Sequence, residues 1–171
     1  MASNLNDTAP RLEGGSRAFA SRGTARIAAV QALYQMDLTQ ADVAAVIAQF
    51  TQHRFGHKVD GAHYDQADEP FFKDLVLGVV RAQLDVDPLI ARHLAKGWRL
   101  ARIDSILRAI LRAGTYELHE RREIPARVII NEYLDVAHAF FGGDEPRVVN
   151  GILDSVAREV RTAEFSSPAH G

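Results

Sequence analysis

The stretch from Leu100 to Leu118, LARIDSILRAILRAGTYEL, limits the fold more than any other part of the chain. Leu100, Ile103, Ile106, Leu107, Ile110, Leu111 and Leu118 recur at helical spacing, on a stripe wider than a surface helix needs. The spacing predicts one long helix inside a bundle, with other helices around it. Arg102, Arg108 and Arg112 fall toward the edges of the stripe, the last two one turn apart. Gly114 interrupts it. A glycine inside a helix costs about 1 kcal/mol against alanine, which points to a second backbone coming close.

The rest of the chain reads as helices of the same kind. Thr24 to about Leu38 carries Ile27, Val30, Leu33, Tyr34 and Leu38 as an inner face, with Ser21 or Thr24 as the cap. Ala41 to about Gln52 places Val43, Val46, Ile47 and Phe50 on one stripe. The polar, glycine-broken run from His53 to Glu69 is a long loop. Pro70 opens a third helix bearing Phe72, Leu75, Val76 and Val79. Asp87-Pro88 reads as the cap and first turn of a short fourth helix, ended by Gly97 in a left-handed position, with Trp98 packed on the start of the central helix. Pro125 starts a helix with Val128, Ile129, Tyr133, Val136 and Phe140, which Gly142-Gly143 stops. Asp144 caps the last helix, whose inner face is Val149, Ile152, Leu153, Val156 and Val160.

The sum is an all-α, compact seven-helix domain over residues 21–163, without strands, between flexible tails at 1–20 and 164–171. Gly78, Gly114 and Gly151 lie inside helices and are expected at close helix crossings.

The composition excludes several classes of function. The chain has 171 residues and no cysteine, so thiolate zinc sites, disulfides and cysteine nucleophiles are out. No apolar run is long enough to span a membrane, and the N-terminus has no signal-peptide pattern; a cytoplasmic protein is expected. The net charge of -2 means that any nucleic-acid binding must come from a local patch. His53, His57, His63 and Asp65 sit in the glycine-broken loop, where the i, i+4 ligand geometry of a helix is missing; they read as solvated, and no metal or cofactor is expected. There is no phosphate-cradling glycine loop, no nucleophile elbow and no catalytic set, so an enzyme is not expected.

Two patches could hold a nucleic acid. Arg147 lies in the first turn of the last helix, where a cation opposes the helix dipole. Either Asp144 or Glu145 neutralises it, or the arginine and the helix start form a phosphate seat. Asn150, a turn later, is a poor helix former, so its amide serves either a base edge or a neighbouring helix backbone. The second patch is the arginine-bearing run Arg17, Arg22 and Arg26, with Gln31 and Tyr34 on the turns that follow. Arginines hold phosphates and an aromatic stacks an unpaired base, although a tyrosine at this spacing also serves as a core residue with its hydroxyl at the surface.

Several runs together resemble the NusB family of bacterial antitermination factors. They are Ala25-Arg26 and Ala29 to Gln35, Phe72-Lys73-Asp74-Leu75 with Gly78-Val79, Ile110-Leu111-Arg112 with Tyr116-Glu117-Leu118, Ile124-Pro125, Ile130-Asn131-Glu132, Phe141-Gly142, and Val149-Asn150-Gly151-Ile152-Leu153-Asp154. They occur in family order over about residues 21–161. The resemblance implies two small helical bundles and binding of the boxA element of ribosomal RNA transcripts as a heterodimer with NusE, the small-subunit ribosomal protein. It further implies assembly with NusA, NusG and RNA polymerase, and a chain that is monomer or homodimer when free. By position, the resemblance puts RNA at Arg22, Arg26, Gln31, Tyr34, Phe141, Arg147 and Asn150. Gly23 and Thr24 make the arginine run sparser than the family's, with Arg17 in compensation. A helical protein adaptor without RNA contact is the competing expectation. The accessory domain of a ribosomal RNA cytosine methyltransferase is less apt, because these residues hold no glycine-rich cofactor signature.

Overall fold

Helix α5 (Ser105–Glu120) runs through the middle of the molecule, and Leu107, Ala109 to Leu111 and Ala113 to Leu118 are all buried in it. The computed structural model describes residues 13–53, 55, 58, 59, 62, 63 and 67–166. On one side of α5 stand α1 (Glu13–Thr39), α2 (Val43–His53) and α3 (Glu69–Arg81); on the other, α4 (Gln83–His93), α6 (Ala126–Phe140) and α7 (Glu145–Val160). These are the two small bundles, and they share α5 and one continuous apolar core. A single-turn helix α8 (Thr162–Phe165) follows α7. It makes eight helices among the described residues, against the seven expected. No helix among the described residues is long and apolar enough to cross a membrane.

The local rules are visible at the helix starts. Asp104 accepts hydrogen bonds from the backbone N–H groups of Ile106 (2.9 Å) and Leu107 (3.0 Å), so α5 begins there and not at Leu100. Leu100–Arg102 forms a separate 3-10 turn, held by Arg108, whose Nη1 donates to the carbonyls of Leu100 and Ala101. Asp68 caps α3 through Phe71 N–H, and Pro70 occupies the first turn as expected. Pro125 stands at the start of α6 and offers no side-chain cap. Glu164, from α8, supplies one instead: its Oε2 accepts from Ala126 N–H at 2.9 Å, while Oε1 accepts from Arg161.

The structure departs from the sequence reading at several points. α1 begins at Glu13, so Ser21 and Thr24 are interior, and residues 13–20, expected as tail, form its first turns. Residues 1–12 and 167–171 lie outside the described residues, as do His57, Asp65 and most of the loop. Within that loop Lys58–Val59 (β1) and Ala62–His63 (β2) form a short antiparallel pair, where no strand was expected. Phe55 is buried on Phe72, with ring centroids 4.8 Å apart. Asp87 does not cap a helix: α4 starts at Gln83 and keeps Pro88 inside. The carbonyl that Pro88 leaves unbonded, four residues back, belongs to Leu84, which is exposed to water. Asp87 instead takes Arg112 Nε at 2.9 Å and Nη2 at 3.0 Å. Gly97 does have φ +86°, but in the turn after α4, whose last residue is His93. Leu38, expected inside, is 60% exposed.

The three helix glycines divide. A Cβ on Gly78 would lie 2.1 Å from the Tyr116 ring, and one on Gly114 would lie 2.8 Å from Leu153. Those two are the close crossings expected. Gly151 is exposed, and a Cβ there would meet nothing within 4 Å, so the packing explanation fails for it.

Candidate nucleic-acid interface

The candidate residues lie on α1, at the end of α6 and on α7, three helices that each pack on α5. Gln31 and Tyr34 are half-buried on α1 and line a cavity of about 330 Å³ with Ile106 of α5 and Phe140 of α6. The next residue of α5, Leu107, lines a second cavity of about 470 Å³ with Trp98, Ile103, Asp144, Glu145 and Val148. Consecutive residues of one helix therefore separate the Gln31–Tyr34 groove from the start of α7. Phe141 is the half-buried residue that ends α6 beside Phe140.

Arg147 and Asn150 are both exposed on α7, one turn apart. Among the described residues no carboxylate pairs with Arg147, so the neutralising role considered for Asp144 and Glu145 is not seen. Asp144 stands at the N-cap position, but its side chain makes no capping hydrogen bond. Glu145 folds back over Gly143, and its Oε2 is buried without a hydrogen-bond partner among the described residues. The amide of Asn150 bonds no neighbouring helix among the described residues, which removes its structural alternative.

Arg26 requires a correction. It is 2% exposed and cannot meet a nucleic acid in this structure. Its Nε and Nη2 donate to the two oxygens of Glu117 at 2.9 and 2.8 Å, and Glu132 approaches Nη1 at 3.4 Å. Tyr133 donates its hydroxyl to the same Glu117 carboxylate. Burial works against the charge of Arg26, but the bond to Glu117 and the neighbouring acids outweigh it and hold the pKa above the ordinary arginine value. Burial likewise raises Tyr133 well above its usual value, with the Glu117 charge adding to the effect. Arg26 thus locks α1 to α5 and α6 from beneath the surface.

Arg22 is at the surface but apart from the other candidates. It lies 4.9 Å above the Phe71 ring and 3.8 Å from Asp68. Twelve residues of helix put it about 18 Å along α1 from Tyr34. Arg26 and Arg121 crowd the same ring at 4.9 and 5.0 Å. The side chain of Arg17 lies outside the described residues. So the structure brings Gln31 and Tyr34 into one groove with Phe140, the chain neighbour of Phe141, exposes Arg147 and Asn150 on α7, leaves Arg22 at a distance along α1, and buries Arg26. It also adds Trp98, 49% exposed over an apolar cavity, where the sequence suggested a packed residue. An aromatic directly after a turn glycine was the available signal.

A model of the NusB family matches residues 23–158. The transcription antitermination protein NusB of Rhodopseudomonas palustris strain BisB18 is 52% identical over 161 residues, covering 94% of this chain and 94% of that one. The chain belongs to the NusB family. A second NusB relative, from Allorhizobium ampelinum, is 54% identical over 140 residues, covering 82% of this chain and 88% of its own. Among solved structures, T. maritima NusB superposes with a TM-score of 0.69 at 26% identity, over 84% of this chain and 96% of that one. A chain from the crystal structure of antitermination factors NusB and NusE in complex with double-stranded RNA superposes with a TM-score of 0.68 at 21% identity, over 82% of this chain and 98% of that one. At that identity the likeness shows the NusB fold.

Proposed function

We propose that this NusB-family chain is a transcription antitermination factor that binds boxA RNA of ribosomal RNA transcripts together with NusE. The observation that carries the reading beyond family membership is an exposed Arg147, unpaired among the described residues, one turn from an exposed Asn150 on α7. Arg147 holds a phosphate, Tyr34 stacks an unpaired base, and Gln31 and Asn150 contact base edges. Phe141 fixes the end of α6 between them. NusE completes the RNA surface, and the pair joins NusA, NusG and RNA polymerase on the nascent transcript in the cytoplasm. The chain works by binding, without a chemical step of its own. The complex between relatives named NusB and NusE with RNA supports this choice of partners.

A second reading, a helical adaptor that binds protein only, draws on the apolar cavity beneath half-exposed Trp98. Fluorescence anisotropy separates the two, using a boxA-like single strand and a scrambled one, with and without NusE, over a salt series. Phosphate contacts make the affinity fall steeply with salt, whereas an apolar protein interface barely responds. Selective, salt-sensitive binding that tightens with NusE is the expected result. NusE binding without RNA binding in any condition selects the adaptor.

A further inference from the structure

We infer that Gly151 is bare so that the sugar–phosphate backbone of a bound RNA strand lies directly on α7; the inference rests on the RNA-binding reading above. Gly151 sits in the middle of a 16-residue helix, exposed, and a Cβ added to it meets nothing within 4 Å. Its backbone is not left-handed; of the described glycines only Gly97 is. Neither the packing that explains Gly78 and Gly114 nor backbone geometry therefore calls for a glycine here. The helix carries the propensity loss with no return inside the folded chain.

The neighbours indicate what comes close. Arg147, Asp154 and Arg158 share this face of α7 at i-4, i+3 and i+7 from Gly151, and Asn150 stands on the adjoining strip, one turn from Arg147 and from Asp154. Asp154 and Arg158 neutralise each other at 2.9 Å. Asp144, at i-7, is exposed too but lines the cavity with Trp98, so among the described residues the unpaired cation on this face is Arg147, which suits a polyanion. The apolar neighbour of Gly151 on the adjoining side, Val148 at i-3, is half-buried and lines the cavity with Trp98, and no exposed large apolar side chain borders Gly151 as a docked protein helix would require. A side chain at 151 would hold the strand off the helix and out of reach of Arg147 and Asn150, each within about one turn.

The test compares wild type with Gly151→Ala and Gly151→Leu in the full chain with NusE, reading thermal stability and affinity for boxA-like and scrambled RNA. Because the position is open, alanine raises Tm by about 2–4 °C. The same change weakens RNA binding by about 3–10-fold, and leucine by more than about tenfold. The factor is equal for the two RNAs, since backbone contacts carry no sequence information. Wild-type RNA affinity in Gly151→Leu, while wild type binds RNA, overturns the inference alone. Lost NusE binding with RNA binding kept, or a lower Tm in Gly151→Ala, also overturns it, by showing a protein occupant or a hidden packing role. Wild type that binds no RNA removes the functional reading itself.

Discussion

Arg26 and Glu117, 91 residues apart in the chain, meet inside the protein through two parallel hydrogen bonds of 2.9 and 2.8 Å. Both side chains are essentially without solvent, and Tyr133 closes the carboxylate from its other side. Removing one partner strands a buried charge. Glu117→Ala is expected to destabilise the fold by about 3–5 kcal/mol in urea unfolding. The double change Arg26→Met with Glu117→Leu should recover much of that loss, because the carboxylate it leaves without a partner, Glu132, is partly exposed to water. Equal stability of the single and double variants would show that the pair matters for packing alone.

Gly78 faces the ring of Tyr116 across the α3–α5 crossing. A methyl there has nowhere to go, so Gly78→Ala should cost about 1–3 kcal/mol of stability, although alanine is the better helix former. Calorimetry on the variant checks this. A stabilised variant would mean that the two helices separate easily.

Arg147→Ala should leave circular dichroism and Tm unchanged, since the side chain is exposed and unpaired among the described residues. It should weaken RNA binding by about 1–3 kcal/mol and reduce the salt slope by about one. Unaltered affinity removes Arg147 from the interface.

Asn150→Ala should also be neutral for stability, because its amide bonds no neighbouring helix among the described residues. Its loss of affinity should be larger for boxA-like than for scrambled RNA, as a base-edge contact requires. Equal losses would make it a backbone contact.

Glu164 accepts the first N–H of α6, and that bond, joined by Arg161, holds its pKa below the ordinary 4.5 against a smaller opposing effect of burial. A depressed carboxylate binds fewer protons in the fold than in the unfolded chain, so stability rises with pH through that window. Its contribution is full above 4.5 and fades as pH falls through the lower, folded value. The Tm gap between wild type and Glu164→Gln should therefore be present at pH 6 and close in acid. A gap that stays constant with pH would make the glutamate's role steric.

The helices were legible wherever one periodic stripe decided the matter, as in α5, α6 and α7. What misled were local signals that tertiary partners overrode. Asp87-Pro88 has the chemistry of a helix start, but Asp87 is recruited by Arg112 and the helix begins earlier. Arg26 reads as a surface cation because charge normally means exposure. Yet it lies at i-4 and i-7 from Val30 and Leu33 on α1, and Glu117 lies inside the apolar stripe of α5. Two opposite charges, each on a buried face, are the sequence sign of an internal pair. The groove that joins Gln31 and Tyr34 to Ile106 and Phe140 had no local sign, because it depends on how α1 and α6 are stacked on α5.

Arg161 gives the end of α5 an unusual dependence. Its guanidinium donates to the carbonyls of Glu117, Leu118, Arg121 and Ile124, which finish α5 and lead into α6. Those oxygens belong to residues made some 40 positions earlier. The carbonyls of Glu117 and Arg121 have local partners in the N–H groups of Arg121 and Ile124, but those of Leu118 and Ile124 do not gain the guanidinium until residue 161 has left the ribosome. Folding of this chain can begin early, but it is sealed from its C-terminal side.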